Sequence, residues 1–328
     1  MKVNQNNLLW SMANETEKQE SNAPNDLGFG TQMSNRNVRL INPDGTFNVR
    51  RIGLNFSESF HFYHYLITLS WTKFFTVITL FFLFANFCFT SVYMLIGIEH
   101  IGGMIAHNWW QKFYETFFFS TQTLTTVGYG RINPTGFFTS AVAALESMLG
   151  LMGFALITGV LYGRFSRPES KILFSKNLVL APYKEMNAIM FRMANMRKSQ
   201  LIETEVQFVV GYNKQVNGVA QRVFITLALE RSKINFFPLS WTVVHPIDDK
   251  SSLKGVPMQE LYDGNAEFSV LVKAFDDTFH QHVYARYSYL MKDMVEGVKF
   301  IPTYSQASDG VIEMDFQKFD HYIDAKLN

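Results

Sequence analysis

The side chains of this sequence that could do chemistry are few and scattered. His61 and His64 stand three apart, the spacing of one helix face, and His280 and His282 alternate to one face of a strand. A metal centre needs further ligands, and neither pair has a Cys or carboxylate companion, so both read as packing or surface residues. Cys88 is the only cysteine, which leaves no intrachain disulfide framework. The sequence shows no glycine-rich nucleotide loop and no nucleophile elbow, and Glu146 is a lone acid in an apolar run. What remains is "TLTTVGYGRINP" (123–134), in which Gly128 and Gly130 flank Tyr129 and no side chain is reactive. Glycine reaches φ values closed to other residues. A TVGYG segment can therefore turn successive main-chain carbonyls towards one axis while its side chains point away. The available chemistry is cation coordination by backbone oxygen.

Such backbone must be held by something, and the flanking elements are apolar. Charge is nearly absent from Phe74 to Ile98 and sparse from Gly136 to Gly163. Each run can cross a hydrocarbon core of about 30 Å, which takes roughly 20 helical residues. The first span is expected from about Trp71 to Ile98, and the second after Gly136, ending at "RFSRPES". Between them Trp109 and Trp110 suit an aromatic belt. "QKFYETFFFSTQTL" (111–124) is apolar enough to enter a membrane and too short to cross it, as a re-entrant segment would be. Before the first span, "NFSESFHFYHYLITLS" (55–70) reads as a short amphipathic helix, with Asn55 and Glu58 spaced as a capping box. Arg36, Arg39, Arg50, Arg51 and Lys73 precede or open the first span; Arg164, Arg167, Lys171 and Lys176 follow the second. Only Lys112 and Arg131 lie between. The positive-inside rule then places both termini in the cytoplasm. The first 35 residues are polar and expected to be disordered.

Irregular backbone at membrane depth is tolerated only where protein buries it or where it lines a watery path. The C-terminal end of a half-crossing helix favours a cation. Carbonyls of Thr126, Val127, Gly128, Tyr129 and Gly130 can replace the water shell of a dehydrated K⁺ ion. One chain offers too few oxygens per level, so four copies around an axis are expected. The formal net charge of +1 gives no argument for a nucleic-acid partner.

Beyond Lys171 the pattern changes to a period of two. "LIETEVQFVV" (201–210), "AQRVFITLALE" (220–230), "FPLSWTVVHPI" (237–247), "AEFSVLVKAF" (266–275) and "HVYARYSYL" (282–290) read as short strands, separated by polar turns. Several such strands predict a β-sandwich.

At this point the sequence resembles the inward-rectifier potassium channel family, in its bacterial branch. "FYHYLITLSWTKFF" is similar to the family's slide helix and outer-helix entry, and "FFFSTQTLTTVGYG" to its pore helix and filter. "LESMLGLMGFALITGVLYGRFSRP" resembles its inner helix, "ILFSKNLVLAPYKEMNAIMFRMANMRKSQLIETEV" its first cytoplasmic strands, and "LSWTVVHPIDDKSSL" a later segment of the cytoplasmic domain. The resemblance covers about residues 45–318. It implies a homotetrameric, multi-pass K⁺ channel of a bacterial inner membrane: a two-span α-helical pore module and an all-β immunoglobulin-like cytoplasmic sandwich. The implied organisation is a disordered tail over 1–44, a cytoplasmic segment and slide helix over 45–70, and a pore domain over 71–165. A linker over 166–174, the sandwich over 175–318 and a C-terminal tail over 319–328 complete it. K⁺ ions in the filter, at Thr126 to Tyr129, are the only bound groups implied; no cofactor and no enzymatic activity are.

By the same resemblance Tyr162 holds the bundle-crossing gate position and Gly159 a hinge, although Tyr162 also suits an interfacial helix end and Gly159 close helix packing. Gln122 stands where many relatives carry a pore-helix Glu, so a salt bridge from that position is not expected. Phe154 stands where strong rectifiers carry an acid, which implies weak rectification. Glu146 reads as filter support, with a direct place in the ion path as the alternative. Lys73, Arg164, Arg167 and Lys171 are explained by orientation alone or by anionic lipid, and the resemblance favours phosphoinositide or other anionic headgroups. Two rivals lie outside this reading. One is a two-span channel under ligand or cyclic-nucleotide control; the other is a membrane-tethered binding or signalling module.

Overall fold

The computed structural model describes residues 39–50, 52–53, 61–167, 170–197, 199–216 and 219–328. The chain forms two compact units, one of residues 51–167 and one of residues 1–50 with 168–328.

Among the described residues, four α-helices build the first unit. Helix α1 (Phe62–Thr68) opens without a side-chain cap at His61 and stops where Leu69 turns extended. The expected capping pair Asn55 and Glu58 lies outside the described residues. Helix α2 (Trp71–Ile96) has 26 residues, about 39 Å at 1.5 Å per residue. Its polar side chains fold back on the helix: Thr76 and Ser91 donate to the carbonyls of Thr72 and Phe87, and the Asn86 amide to that of Phe82. Gly97, at φ 117°, ends it. Helix α3 (Trp109–Leu124) starts two residues before the expected position because Asn108 and Gln111 form a reciprocal capping box. Helix α4 (Phe137–Phe165) runs 29 residues through four glycines. Both α2 and α4 are long and apolar enough to cross a membrane. Strand β1 (Ile101–Gly102) pairs antiparallel with β2 (Asn133–Pro134), tying the segment before α3 to the one after "TVGYG". Tyr93, Ile101, Phe119, Ile132 and Ala143 close a small core where α2, α3 and α4 meet.

The second unit is a two-sheet sandwich. One sheet has the order β11 (Gln281–Leu290), β10 (Glu267–Asp276), β6 (Leu201–Val216), β7 (Val219–Thr226), with β8 (Lys233–Phe236) also on β6. The other has the order β12 (Met294–Glu296), β4 (Leu178–Tyr183), β5 (Met186–Asn195), β3 (Ile172–Phe174), with β9 (Ser240–Pro246) on β5. Alternation of side chains sends Phe268, Val270, Val272 and Ala274 of β10 into the shared core. There the rings of Phe191 and Phe208, one from each sheet, lie 5.1 Å apart. His245 on β9 is buried, with its Nδ1 2.6 Å from the Ala228 carbonyl and its Nε2 2.9 Å from Ser251 Oγ.

Both expected tails are shorter than the sequence suggested. Leu40 and Ile41, placed in a disordered stretch, are buried against Phe224. The cause is a buried carboxylate: Glu267 accepts from the backbone amides of Leu40 at 2.8 Å and Ile41 at 3.2 Å. Ile41 bridges Phe47 to close a hairpin. At the other end β14 (Tyr322–Asp324) pairs with β13 (Val298–Phe300), and Phe319 is buried. Arg192 holds that segment by donating to the carbonyls of Ile301 and Phe319. Burial pushes the Arg192 guanidinium down to about 10.

Candidate ion-conducting site

The end of α3 passes straight into the glycine-containing stretch. An α-helix leaves its last carbonyls without intrahelical donors. Here the chain that follows supplies them: Val127 N–H donates to the Gln122 carbonyl at 2.9 Å and Thr126 N–H to that of Thr123 at 3.0 Å. Thr126, Gly128 and Gly130 have φ of 59°, 54° and 87°, whereas Val127 and Tyr129 between them keep negative values. The backbone thus alternates in hand from 126 to 130, the conformation that lets consecutive carbonyls share one side. A left-handed Thr is costly, and a segment that holds one is over-determined by its surroundings. Residues 125–131 are all exposed in the single chain, Tyr129 at 80% and Val127 at 52%.

Gln122 lines a cavity of about 310 Å³ with Tyr114, Glu115, Phe118, Tyr129, Arg131 and Ile132. The ion pair not expected at Gln122 is present two helical turns earlier. Arg131 Nη2 stands 3.3 Å from Glu115 Oε1, and Arg131 Nη1 donates to the Gly103 carbonyl at 3.1 Å. The other Glu115 oxygen accepts from the Ile105 amide at 3.1 Å. Sequence reasoning missed this pair. Its available signal was that Glu115 and Arg131 are oppositely charged residues flanking the filter stretch.

Glu146 is fully buried and stands behind α3. Its Oε2 accepts from the Tyr93 hydroxyl at 2.6 Å and its Oε1 from the Ser120 hydroxyl at 2.5 Å. Along the rest of α4, Phe154 and Tyr162 are exposed at 71% and 74%, and no neighbouring atom crowds Gly159.

The four basic residues divide. Lys73, Arg167 and Lys171 are exposed. Arg164 is engaged within the chain. It donates to the carbonyls of Leu66 at 2.6 Å and Leu69 at 2.7 Å. Its guanidinium stacks 4.5 Å from the Trp71 ring centre and 4.6 Å from that of Phe74. The free carbonyls at the end of α1 are what attract it. Among the described residues no group of three or more His, Cys, Asp or Glu could hold a metal ion; His280 and His282 both pack against the Phe275 ring.

Comparison with known proteins agrees with this geometry. A family model described as inward rectifier potassium channel C-terminal domain matches residues 172–327, and one described as ion channel matches residues 76–167. The inward rectifier potassium channel Kirbac3.1 of Paramagnetospirillum magnetotacticum is 34% identical over 292 residues, 88% of this chain and 97% of that protein. The ATP-sensitive inward rectifier potassium channel 10 of Homo sapiens is 28% identical over 221 residues, 63% of this chain and 57% of that one. Among solved structures, the sporulation control protein Spo0M of Bacillus subtilis aligns over 38% of this chain and 49% of that one, at 10% identity. Its TM-score of 0.23 carries no argument about fold. Two apolar spanning helices, a pore helix between them and a β-rich domain after them place this chain in the inward rectifier potassium channel family, as an integral membrane protein whose permeant ion is potassium.

Proposed function

We propose that K⁺ crosses through rings of backbone carbonyls from Thr126, Val127, Gly128, Tyr129 and Gly130 of four identical chains. The observation that carries this reading is the alternation of φ over these residues, joined to their exposure in one chain. Uncovered backbone of this kind cannot face lipid, so other copies must surround it. Rings of carbonyls then replace the hydration shell of the ion.

Conduction is closed at a ring of Tyr162 side chains near the end of α4, with Gly159 one turn earlier giving the helix freedom to bend. Phe154 brings no negative charge to the pore, so block by polyamines or Mg²⁺ from the inside is weak. Both termini are cytoplasmic by the distribution of basic residues, in a bacterial inner membrane by the family resemblance. The β unit of residues 175–318 acts as the regulatory domain. Anionic lipid headgroups bind at the exposed Lys73, Arg167 and Lys171, while the sequestered Arg164 takes no headgroup.

The test is ⁸⁶Rb⁺ uptake into liposomes holding the purified full chain, with Na⁺ competition and Ba²⁺ block. Uptake that Ba²⁺ blocks and Na⁺ leaves intact is expected, and Gly128→Ala should abolish it, since a Cβ strains a φ of 54°. Uptake that is equally open to Na⁺, or unchanged in Gly128→Ala, would overturn the assignment.

A further inference from the structure

Three residues of one α4 stripe meet three residues at the C-terminal end of the pore helix. Ser120 Oγ donates to Glu146 Oε1 at 2.5 Å, and Ser147 Oγ donates to the Thr123 carbonyl at 3.3 Å. At Gly150 a Cβ would collide with the carbonyl oxygen of Leu124, the last residue of α3. The spacing on both sides is that of one helix face. Each contact lies nearer to Thr126 than the one before, so the stripe fixes the pore helix up to the point where the filter begins.

Glu146 is the unusual member. It is fully buried, and among the described residues no basic side chain is bonded to it. An acid in such a place is costly unless its oxygens are occupied. Both are: one by Tyr93 of α2, the other by Ser120 of α3. A single carboxyl group therefore joins the outer helix, the pore helix and the inner helix. Ser120 Oγ also stands 3.2 Å from Asn86 Oδ1, so its proton has a second acceptor. A carboxamide could occupy the same place, accepting from Tyr93 while donating to Ser120, whose hydroxyl would turn to Asn86.

We infer that Glu146 is a positioning residue for K⁺ selectivity, fixing the pore helix through Ser120 and Tyr93 by hydrogen-bond geometry rather than by lending charge to the ion path. The inference rests on the filter reading above. Because the carbonyls of 126–130 follow directly from α3, a shift or rotation of that helix changes their spacing, and selectivity is sensitive to it.

The test compares Glu146→Gln, Glu146→Leu and Ser120→Ala in the full-length channel in liposomes, reading ⁸⁶Rb⁺ uptake against Na⁺ competition and Ba²⁺ block. Glu146→Gln is expected to keep the wild-type ratio of Rb⁺ to Na⁺, while Glu146→Leu and Ser120→Ala lose part of it. If Glu146→Leu does not assemble, as judged by size-exclusion chromatography, Ser120→Ala decides, since it removes one hydroxyl and no charge. A Glu146→Gln channel as impaired as Glu146→Leu would show that charge matters and overturn the inference. So would wild-type selectivity in Ser120→Ala. A wild-type channel without Rb⁺ preference would instead sink the filter reading itself.

Discussion

Arg131 Nη2 lies 3.3 Å from Glu115 Oε1, and the same carboxylate accepts from the backbone amide of Ile105. One buried side chain thus joins three pieces of chain: the helix α3 that carries it, the loop ahead of that helix and the stretch after residues 126–130. Arg131 is about half exposed, 55% for its side chain, so the ion pair by itself is worth only about 0.2–1 kcal/mol. Leaving the Ile105 amide without an acceptor costs more, on the order of 1–3 kcal/mol. Arg131→Gln is therefore expected to weaken Rb⁺ preference mildly and Glu115→Ala strongly. The exchanged pair Glu115→Arg with Arg131→Glu should not recover it, because Ile105 still lacks its acceptor. Full recovery in flux assays would reduce the site to a simple ion pair.

Arg164 should behave differently from the other basic residues near the membrane. Hydrogen bonds made by a charged group contribute about 1.5–3 kcal/mol each, and Arg164 makes two of them to α1. Arg164→Gln is expected to change channel opening even in vesicles of neutral phosphatidylcholine, where no anionic headgroup can be lost. Trp71→Leu should have an overlapping, less than additive effect, since it removes one of the rings that guanidinium stacks on. Arg167→Gln and Lys171→Gln should alter only the response to anionic lipid. An Arg164→Gln channel that is normal in neutral vesicles and impaired solely with anionic lipid would return Arg164 to the lipid site.

The left-handed backbone within residues 126–130 was readable because glycines at 128 and 130 announce it. The strands with one buried face, such as β10, were readable by alternation. Strands β4 and β5 were not legible by period. Val179 and Ala181 of β4, with Ala188 and Met190 of β5, pack into one cluster, while Leu178, Leu180, Ile189 and Phe191 pack into another. Burial on both faces erases the pattern; only family resemblance marked them. The Glu146 site was half legible: a lone acid in a spanning helix asks for partners, but Tyr93 and Ser120 are ordinary residues for their helices. The contacts of Arg164 were not legible, because a sequence does not say where another helix leaves its last carbonyls free.

His245 sets a pH dependence in the β unit. Its Nδ1 donates to the Ala228 carbonyl and its Nε2 accepts from Ser251, so the neutral ring is the form that fits. Burial, the larger cause, holds its pKa below the ordinary value of 6.5, outweighing the Ala228 hydrogen bond and Asp248. The unfolded chain then binds a proton that the folded one refuses, so stability falls as pH drops below about 6.5. Thermal unfolding of the channel followed by tryptophan fluorescence should show a lower Tm on going from pH 7 to pH 5. His245→Ala should be less stable at pH 7, by about 1–3 kcal/mol for the unpaired groups it leaves. It should also lose part of that slope. A slope equal to that of the wild type would place the titration on another group.

Tyr162 lies near the C-terminal end of α4. Its side chain is 74% exposed in the single chain and sits one turn after Gly159. In the proposed ring of four, what would stop an ion is the bulk and apolar face of the aromatic ring, which expels water from the passage. Tyr162→Phe keeps both and should retain the low resting flux. Tyr162→Ala removes them and should raise resting ⁸⁶Rb⁺ uptake. The ratio of Rb⁺ to Na⁺ should stay fixed in both if selectivity is decided, as proposed, at residues 126–130, far along the chain from this end of α4. Resting uptake that is unchanged in Tyr162→Ala would move the constriction elsewhere, and a changed ion ratio would mean that gate and filter are not separate.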